Sequence, residues 1–371
     1  MAPLPAEMLF IDTSGRGGAT TAGRDPSVRV FEDEYELGDE LGRGAFGVVY
    51  TAYAKRSGEA YAVKCMHKKK LMQLSSNSLV RVKDEIRALT ALQHPHIIRM
   101  HATFESEDQL HILMEKADGG ELFDRIVACG AFEEEHARHV AYQLLDVLHF
   151  MHTRAVLHRD IKPENLLLTS ETSWDIKVTD FGLIKILDEH LFSAEELDAN
   201  DAHHGDRRAT VCGSNTYMAP EMAWHMAYGP ALDVYSAGVV IYILLSGGPP
   251  YDVGQTPHPA STQSIPLPAQ LFGTVSADAK ELLKCMLEPS PSRRVTAAAA
   301  LSSRWFSDHA VKTNDAGTGV QESVRGASTS DEGDLLDMAE LQEWIGLRFG
   351  GLASANGWQH IKRCWGHDQR R

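Results

Sequence analysis

The chain has 371 residues, 43% of them hydrophobic and 23% charged, which is the composition of a globular protein that can bury a sizeable core. Its 51 acidic and 36 basic residues give a formal net charge of −15. This charge argues against broad electrostatic binding to nucleic acid or to an anionic membrane, so neither is expected as a partner.

Three features of the sequence bear on the cellular compartment. The longest apolar stretch, at 237–245, is far shorter than the roughly 20 residues that span a bilayer. The N-terminal sequence MAPLPAEMLFIDTSG lacks the basic start and the long apolar run of a signal peptide. Five cysteines, an odd number without a C-x-x-C pair, indicate reduced thiols. Together they predict an intracellular protein, located in the cytoplasm, the nucleus or both.

The first part of the chain has the pattern of a small β-rich unit. Residues 1–34 are rich in small and polar residues and are predicted to be a flexible arm. From Tyr35, short alternating apolar runs broken at glycines predict three antiparallel strands, and helical spacing follows at 79–92. HPHII (94–98) and HILME (111–115) are predicted to be two further strands.

Helical periodicity dominates the second part of the chain. The segment 136–152 predicts an amphipathic helix, and 232–246, which is apolar on nearly every side, predicts a buried one. Strands followed by helices predict an α+β fold with two lobes, a small one at 35–116 and a larger one at 117–306. The cleft between such lobes is the expected ligand site. Residues 307–371 have the composition of a linker and a tail.

Two motifs in the β-rich part contain residues suited to binding phosphates. The glycines of LGRGAFGVV (41–49) let backbone amides approach phosphates, although a plain glycine turn would have the same composition. A dinucleotide-binding loop shares these glycines, but a helix would follow it, whereas a β-rich stretch follows here. Lys64 lies inside an apolar strand and needs an anion if it is buried, and Glu85 on the predicted helix can supply one. A strand lysine that reaches solvent is the alternative.

Two later motifs complete an ordered set. HRDIKPEN (158–165) contains a single aliphatic residue and is therefore expected to be a site rather than core. With KVTDFGLIK (177–185) it completes a set of motifs that resembles the eukaryotic protein kinases. The resemblance continues through TVCGSNTYMAPE (210–221) and SRRVTAAAALSSRWF (292–306), and it covers about 35–306. HPHII, GGELFDRIV and HRDIKPENLLL are most similar to the calcium/calmodulin-dependent kinase group, with checkpoint-kinase-like members as close relatives.

The resemblance implies that the chain binds ATP and Mg²⁺. Lys64, held by Glu85, is expected to bind the α- and β-phosphates, and Met114 is expected to be the gatekeeper of the adenine site. The backbone at Glu115 and Ala117 would hydrogen-bond the adenine. The full set of implied nucleotide-binding residues is Leu41, Gly42, Arg43, Gly44, Ala45, Phe46, Gly47, Val48, Val49, Ala62, Lys64, Met114, Glu115, Ala117, Glu121 and Leu167.

The resemblance also implies the residues that act on the transferred phosphate. Asp180 and Asn165 are expected to hold Mg²⁺, for which oxygen ligands are suited. Asp160 would accept or orient the proton of the substrate hydroxyl. Lys162 would stabilise the γ-phosphate as it moves.

Regulation and substrate choice follow from the same resemblance. Thr210 occupies the position of the family's activating phosphothreonine, and a phosphate there would pair with Arg159. The context R-R-A-T (207–210) is typical of basophilic substrates, so an upstream kinase or a second copy of the chain in trans could phosphorylate it. Glu121 occupies the position that meets an arginine three residues before the acceptor, which predicts R-x-x-[ST] protein substrates. Lys162 indicates serine/threonine rather than tyrosine as the acceptor.

Two alternatives to an active protein kinase are a nucleotide-binding pseudokinase that acts as a scaffold and a small-molecule kinase of related fold. The complete set of catalytic residues argues against the first, and the A-P-E sequence at 219–221 argues against the second.

Two further segments carry weaker signals. The acidic insert at 187–206 is typical of a solvated loop, and a metal site on His190, His203 and His204 is the alternative. The tail segment 357–371 combines tryptophans with cations and is a little like a calmodulin target. Autoinhibition by 335–349 is a separate hypothesis for the tail, and a tail that only packs or stays mobile is the alternative.

The sequence also departs from the family pattern in three places. Ser214-Asn215 stands where Thr-Pro is usual, and loss of the proline is expected to loosen the pocket for the residue after the acceptor. Tyr235 replaces the usual tryptophan. The segment 252–272 is short and rich in proline, so the helix usually found there is expected to be missing or remodelled. Later in the chain, Arg294 is expected to pair with Glu221.

Overall fold

The computed structural model describes residues 29–44, 46–74, 78–187, 216–251 and 265–307. The chain divides into two compact units between Ala117 and Asp118. The first unit is built on an antiparallel sheet and the second is mainly helical, so the predicted α+β class is confirmed. Across the residues described, no helix is long and apolar enough to cross a membrane.

The described residues of the first unit form five strands and three helices. The strands form one antiparallel sheet in the order β1-β2-β3-β5-β4, and the three strands predicted after Tyr35 are confirmed. The elements are α1 (Phe31–Glu34), β1 (Tyr35–Arg43), β2 (Val48–Ala54), β3 (Ala60–His67), α2 (Lys68–Leu74), α3 (Ser78–Ala91), β4 (Met100–Glu105) and β5 (Gln109–Met114).

The strand predicted at HPHII is wrong. Pro95 has no N–H to give to a ladder, and the Ile97 N–H donates instead to the His94 carbonyl across a turn, at 3.1 Å. Ile97 and Ile98 follow this turn and are both buried. The two apolar residues therefore belong to the core without forming the predicted strand. The strand of this region is β4, which begins two residues later.

The arm predicted for 1–34 ends earlier than expected. Phe31 is 2% exposed, and its ring stacks on His111 with the centroids 4.7 Å apart. It also packs against Tyr35 and Phe104. A single aromatic residue in a polar stretch has no periodicity, and the prediction therefore missed its burial.

The second unit is centred on α5 and α7, which pack against each other. Every residue of α7 after Ala231 is buried, so both predicted helices are confirmed. The elements are α4 (Leu122–Cys129), α5 (Glu134–His152), β6 (Val156–Leu157), β7 (Leu166–Leu168), β8 (Ile176–Val178), β9 (Lys185–Ile186), α6 (Pro220–Ala223), α7 (Ala231–Ser246), α8 (Ala269–Phe272), α9 (Ala277–Met286) and α10 (Ala297–Leu301). Short 3₁₀ helices occur at Pro163–Asn165, Phe181–Leu183 and Arg304–Phe306.

The later part of this unit contains the predicted Arg294–Glu221 pair and part of the proline-rich segment 252–272. Arg294 pairs with Glu221 through two hydrogen bonds of 2.7 and 2.9 Å, as predicted. Of the segment 252–272, only 265–272 is described, and it contains the four-residue helix α8.

Candidate active site

One face of the first unit's sheet collects several of the residues predicted to bind the nucleotide. In the register of the sheet, Lys64 lies opposite Val49 on one side and Ile112 on the other, while Ala62 lies opposite Met114. Paired residues of an antiparallel sheet point to the same face, and so do residues two apart in one strand. Apolar side chains therefore surround the lysine on this face.

The Lys64 ammonium lies 2.6 Å from Oε1 of Glu85 on α3. The two side chains are only 12% and 3% exposed, so the predicted need for an anion is met by the predicted residue. Glu85 lies on the buried face of α3 together with Ile86 and Leu89. Its second oxygen, Oε2, is buried without a hydrogen-bond partner in the part of the chain that the structure describes. An ammonium has three donors, so a single lysine can bind a carboxylate and a phosphate together.

The glycine-rich loop connects β1 to β2, and the Gly44 N–H donates to the Gly47 carbonyl at 2.9 Å. At Gly47 a β-carbon would lie 2.3 Å from the Cys65 carbonyl oxygen, so this glycine is required for packing on β3. A β-carbon at Gly42 or Gly44 would meet nothing within 4 Å. Gly42 and Gly44 thus leave the open space that a phosphate needs, and Gly47 allows the loop to pack closely on β3.

The other predicted loop residues have ordinary surroundings. Arg43 pairs with Glu40 at 2.9 Å, and Leu41 is half exposed in the bulged part of β1. Phe46 and Val48 are partly buried. Ala45 lies outside the described residues.

The segment after β5 contains the backbone groups expected to bind adenine. The Glu115 N–H donates to the Arg99 carbonyl at 2.9 Å, and Oε1 of Glu115 accepts from the Arg99 N–H at 2.7 Å. The Glu115 carbonyl oxygen is thus the backbone group at this position that suits a ligand amine. Met114, the predicted gatekeeper, is buried immediately before it, and Ala117 ends the first unit.

In the second unit, the loop 158–165 is fixed by Asp233 in the first turn of α7. Its carboxylate accepts the N–H groups of His158 and Arg159 at 3.0 and 2.8 Å, and His152 lies 3.0 Å from it. Burial alone would raise the pKa of Asp233, but these donors lower it overall. Arg159 has a φ of 67°, a left-handed conformation that costs free energy in a non-glycine residue and that Asp233 helps to hold. An acidic residue in an otherwise apolar helix was the sequence signal for this anchor.

His158 fills a structural position in the same loop. Its Nε2 lies 3.1 Å from the Thr179 carbonyl, which can only accept, so Nε2 carries the proton. Nδ1 accepts the N–H of Asp160 at 3.3 Å. The ring packs edge-on against Phe181 with the centroids 5.0 Å apart. His158 thus links the loop to the segment that carries Asp180.

Three predicted catalytic side chains meet at Asp160. Its Oδ2 accepts from the Lys162 ammonium at 2.7 Å and from the Asn165 amide at 2.9 Å. Burial would lower the pKa of Lys162, but the carboxylates of Asp160, Glu164 and Asp180 raise it overall, which keeps the ammonium charged. The Asn165 amide nitrogen also donates to the Asp160 carbonyl at 2.8 Å. Because the nitrogen faces Asp160, the amide oxygen of Asn165 is the atom suited to a metal ion.

Asp180 follows β8 and has a φ of 60° and a ψ of 71°, again left-handed. Its Oδ1 accepts the Gly182 N–H at 3.4 Å. The Asp180 carboxylate, like that of Asp160, raises the pKa of Lys162, so both carboxylates lie close enough to interact with the same ammonium. Carboxylate and amide oxygens from Asp180 and Asn165 are the donor types that Mg²⁺ prefers, and this donor set therefore fits the implied metal.

Glu121 lies in an acidic cluster that the sequence indicated only in part. The segment before α4 pairs with β7, which places Glu121 opposite Leu167 in an antiparallel bridge. Burial raises the pKa of Glu121 to about 7, with smaller contributions from Asp124 and Glu164. Burial also raises the pKa of Glu164, whose Oε2 has no hydrogen-bond partner among the residues described. We call these three carboxyl groups the acidic cluster; it is suited to a cationic ligand.

The Arg159 guanidinium is held by three contacts. It donates to the Leu183 carbonyl at 2.5 Å, to the Ile184 carbonyl at 3.2 Å and to the Tyr228 hydroxyl at 2.9 Å. The Lys185 ammonium lies 5.7 Å from the centre of the Tyr228 ring. Two cations therefore meet at Tyr228, and neither Lys185 nor Tyr228 was predicted as part of the site.

Several predictions fall on residues that the structure does not describe. They concern Thr210, Ser214 and Asn215, the histidines of the 187–206 insert, and the tail segments 335–349 and 357–371.

Comparison with known proteins agrees with this arrangement. The family described as protein kinase domain matches residues 35–306. Calcium-dependent protein kinase 7 of Arabidopsis thaliana is 38% identical over 306 residues, which is 81% of this chain and 54% of the relative. A probable myosin light chain kinase of Dictyostelium discoideum is 35% identical over 281 residues, 74% of this chain and 83% of the relative. The probable serine/threonine-protein kinase fhkC of the same organism is 34% identical over 290 residues, 76% of this chain and 46% of the relative.

The chain belongs to the protein kinase family, and its class is that of the protein serine/threonine kinases. Its similarity to calcium-dependent and myosin light chain kinases agrees with the predicted calcium/calmodulin-dependent group, so that prediction is confirmed. The chain spans about half the length of the calcium-dependent relatives it matches. Membership of the family implies ATP and a divalent metal, and it implies protein substrates.

Proposed function

We propose that the chain transfers the γ-phosphate of Mg²⁺-ATP to serine and threonine hydroxyls of proteins, with a preference for R-x-x-[ST]. The observation that carries this proposal is the Asp160 carboxylate, which binds Lys162 and Asn165 in a loop fixed by the buried Asp233. The proposal includes activation by phosphorylation of Thr210.

Each side chain has a task that follows from its contacts. Asp160 has one oxygen bound to Lys162 and Asn165, so the carboxylate is oriented to accept a proton from the substrate hydroxyl. Lys162 is kept charged by its carboxylate neighbours and can stabilise negative charge on the moving phosphate. Lys64, oriented by Glu85, would bind the nucleotide phosphates. When bound at Asp180 and Asn165, Mg²⁺ neutralises charge on the β- and γ-phosphates.

The acidic cluster supports the choice of an arginine-containing substrate. After burial, the carboxylates of Asp124 and Glu164 raise the pKa of Glu121, and Oε2 of Glu164 is buried without a partner among the described residues. A guanidinium would satisfy that oxygen and favour the ionised form of Glu121, because opposite charges stabilise each other in a partly buried site. An acidic or apolar side chain would offer no such gain.

Replacing Glu121 with glutamine is expected to reduce the preference for an R-x-x-S peptide over its A-x-x-S counterpart by about tenfold, the loss of one partly buried charge pair. In the unmodified protein the preference is expected to rise between pH 6 and pH 8. The pKa of Glu121 is raised to about 7, so its carboxyl gains charge across this interval. The ratio of the two kcat/KM values, measured by transfer of labelled γ-phosphate, reports both effects.

In the Glu121→Gln variant the ratio is expected to stay flat with pH. The Glu171→Gln variant is the control, because Glu171 is an exposed glutamate of the same unit. Equal preference in the variant and the unmodified protein would refute the substrate proposal. No transfer to either peptide by the unmodified protein, activated or not, would refute the enzymatic proposal itself.

The contacts of Arg159 support the regulatory part of the proposal. Arg159 and Lys185 both lie against Tyr228, so two positive charges meet where an anion can bind them. A phosphate on Thr210 carries nearly two negative charges and three acceptor oxygens. Its pairing with these cations would order the segment that follows Asp180.

Replacing Thr210 with alanine is expected to remove the main mass gain of about 80 Da per chain seen on incubation with Mg²⁺-ATP, and to lower kcat by about tenfold or more. Intact mass spectrometry and the labelled-phosphate assay measure the two effects. The Lys185→Met variant should lower kcat in the phosphorylated protein and have no further effect in the Thr210→Ala background. If Thr210→Ala retains both full activity and the mass gain, the switch proposal is wrong.

Further parts of the proposal concern partners and location. Protein substrates and an upstream kinase, or a second copy of the chain acting in trans, are the proposed partners; calmodulin binding by 357–371 stays a weaker prediction. An intracellular location, cytoplasmic or nuclear, is supported by the cysteines, since Cys65, Cys129 and Cys285 are unpaired among the residues described.

A further inference from the structure

Two tyrosine hydroxyls in the second unit form a hydrogen-bonded chain that ends on the backbone. The hydroxyls of Tyr235, in α7, and Tyr251 lie 3.0 Å apart. The Tyr251 hydroxyl also donates to the Thr216 carbonyl at 3.3 Å. Thr216 is buried and is the first described residue after the segment that contains Thr210. The pair therefore links α7 to the end of that segment.

The direction of this chain of hydrogen bonds is fixed by its chemistry. Burial raises the pKa of Tyr235 to about 12, and burial raises the pKa of Tyr251 further above its ordinary value. Both hydroxyls consequently keep their single proton at physiological pH. Since the Thr216 carbonyl can only accept, the Tyr251 hydroxyl donates its hydrogen bond to this carbonyl and in turn accepts a hydrogen bond from the Tyr235 hydroxyl.

Neighbouring contacts hold the same stretch of backbone. Ser236, next to Tyr235 on α7, donates from Oγ to the Tyr217 carbonyl at 2.8 Å. Two consecutive carbonyls, those of residues 216 and 217, are therefore held, the first by Tyr251, which is bonded to Tyr235 of α7, and the second directly by Ser236 of α7. The Arg294 guanidinium also lies over the Tyr235 ring, with its central carbon 4.8 Å from the centre of the ring.

This stretch borders the catalytic loop. Burial, and after it the carboxylate of Glu164, raise the pKa of Tyr217 well above its ordinary value, so Glu164 lies near Tyr217. Glu164 belongs to the acidic cluster and to the loop that contains Asp160 and Lys162. The backbone at 216–217 thus lies beside the region where the proposed peptide substrate would bind.

We propose that the Tyr235 and Tyr251 hydroxyls position the protein substrate by fixing the backbone at 216–217. The inference rests on the proposed kinase function and adds to it a device specific to this chain, which has Tyr235 where tryptophan is usual and Asn215 where proline is usual. Two hydroxyls thereby supply part of the rigidity expected to be lost with the proline.

The direction of the chain predicts an order of effects. Tyr251→Phe leaves both the Thr216 carbonyl and the Tyr235 hydroxyl without a partner, and it is expected to raise the KM for the R-x-x-S peptide by about fivefold. Tyr235→Phe keeps the Tyr251–Thr216 bond and is expected to raise this KM by about twofold. The double variant is expected to resemble Tyr251→Phe rather than the product of the two effects. The KM for ATP should change less than about twofold, since no nucleotide contact is lost.

The matched control is Tyr242→Phe. Tyr242 is also buried in α7, and its hydroxyl donates to the Pro266 carbonyl at 3.2 Å, away from 216–217. This variant loses the same type of hydrogen bond as Tyr251→Phe, from a tyrosine hydroxyl to a backbone carbonyl. It is expected to leave the peptide KM unchanged, although its thermal stability can fall as much as that of Tyr251→Phe.

Hydrogen–deuterium exchange of the fragment that covers 216–222 tests the inference without any enzymatic readout. Faster exchange there in Tyr251→Phe but not in Tyr242→Phe, together with the peptide-selective rise in KM, would support the proposal. Unchanged exchange, an equal rise in the KM for ATP, or an equal effect of Tyr242→Phe would overturn it. If the unmodified protein transfers no phosphate, the proposed function fails, and exchange alone decides whether the hydroxyls fix this backbone.

Discussion

Asp160→Asn protein is expected to transfer phosphate about 10²- to 10⁴-fold more slowly than the unmodified protein, the range for loss of a general base. Asparagine has nearly the same shape, so the loop can keep its anchor on Asp233. The amide lacks the negative charge that holds Lys162 at 2.7 Å and accepts a proton. The defect should lie in kcat, because the proposed role of Asp160 is exerted on the reacting hydroxyl and not on binding of the nucleotide.

The matched control for this change is Asp175→Asn. Asp175 is a carboxylate of the same unit, about half exposed, and it contacts His139, Gln143 and Ser173 rather than the catalytic loop. Its amide variant should keep full activity. Binding of a labelled ATP analogue, measured on both variants, separates loss of chemistry from loss of folding. An Asp160→Asn protein that retains more than about a tenth of the activity would contradict the role given to Asp160.

Arg294→Ala is expected to destabilise the second unit by about 3–5 kcal/mol, the effect of breaking a buried ion pair on one side. The Arg294 and Glu221 side chains are both 0% exposed. The guanidinium also donates to the carbonyls of Ala231, Glu288 and Pro289. Its removal would leave a buried carboxylate and three carbonyls without their donors.

Urea unfolding followed by tryptophan fluorescence measures this effect selectively. All six tryptophans of the chain lie after residue 117, so the signal comes from the second part of the sequence. Arg293→Ala is the control, because Arg293 makes an ion pair with Glu288 but its side chain is 54% exposed, and it should lose at most about 1 kcal/mol.

A double replacement tests the cause. If uncompensated charge is responsible, Arg294→Met combined with Glu221→Leu should be more stable than Arg294→Ala, since the buried carboxylate is gone. An Arg294→Ala protein as stable as Arg293→Ala would refute the importance of the pair.

The predictable parts of the fold were those with long or repeated patterns. Helix α5 has apolar residues at helical spacing, and α7 is apolar on nearly every side. The Lys64–Glu85 contact followed from the rule that a buried charge needs a partner of opposite charge. The Arg294–Glu221 pair followed from the family resemblance. These features depend on local periodicity or on charge pairing, both of which a single sequence displays.

Other features depend on contacts between distant positions. Phe31 is one aromatic residue in a polar stretch, and only its partners His111 and Phe104 reveal that it is core. In HPHII the apolar residues suggested a strand, but Pro95 and the hydrogen-bonded turn that begins at His94 give this segment a different backbone conformation. Lys185 and Tyr228 lie 43 positions apart in the sequence, so no short motif could join them to Arg159.

The burial of Phe31 also bears on how a working fragment of this protein should be cut. The family match begins at Tyr35, whereas the folded first unit includes at least Arg29, whose guanidinium lies 5.1 Å from the centre of the Phe104 ring. A recombinant fragment that starts at Tyr35 would expose the ring faces of His111 and Phe104 to water. Such a fragment would present a new aromatic surface and tend to self-associate, whatever the quality of its catalytic residues.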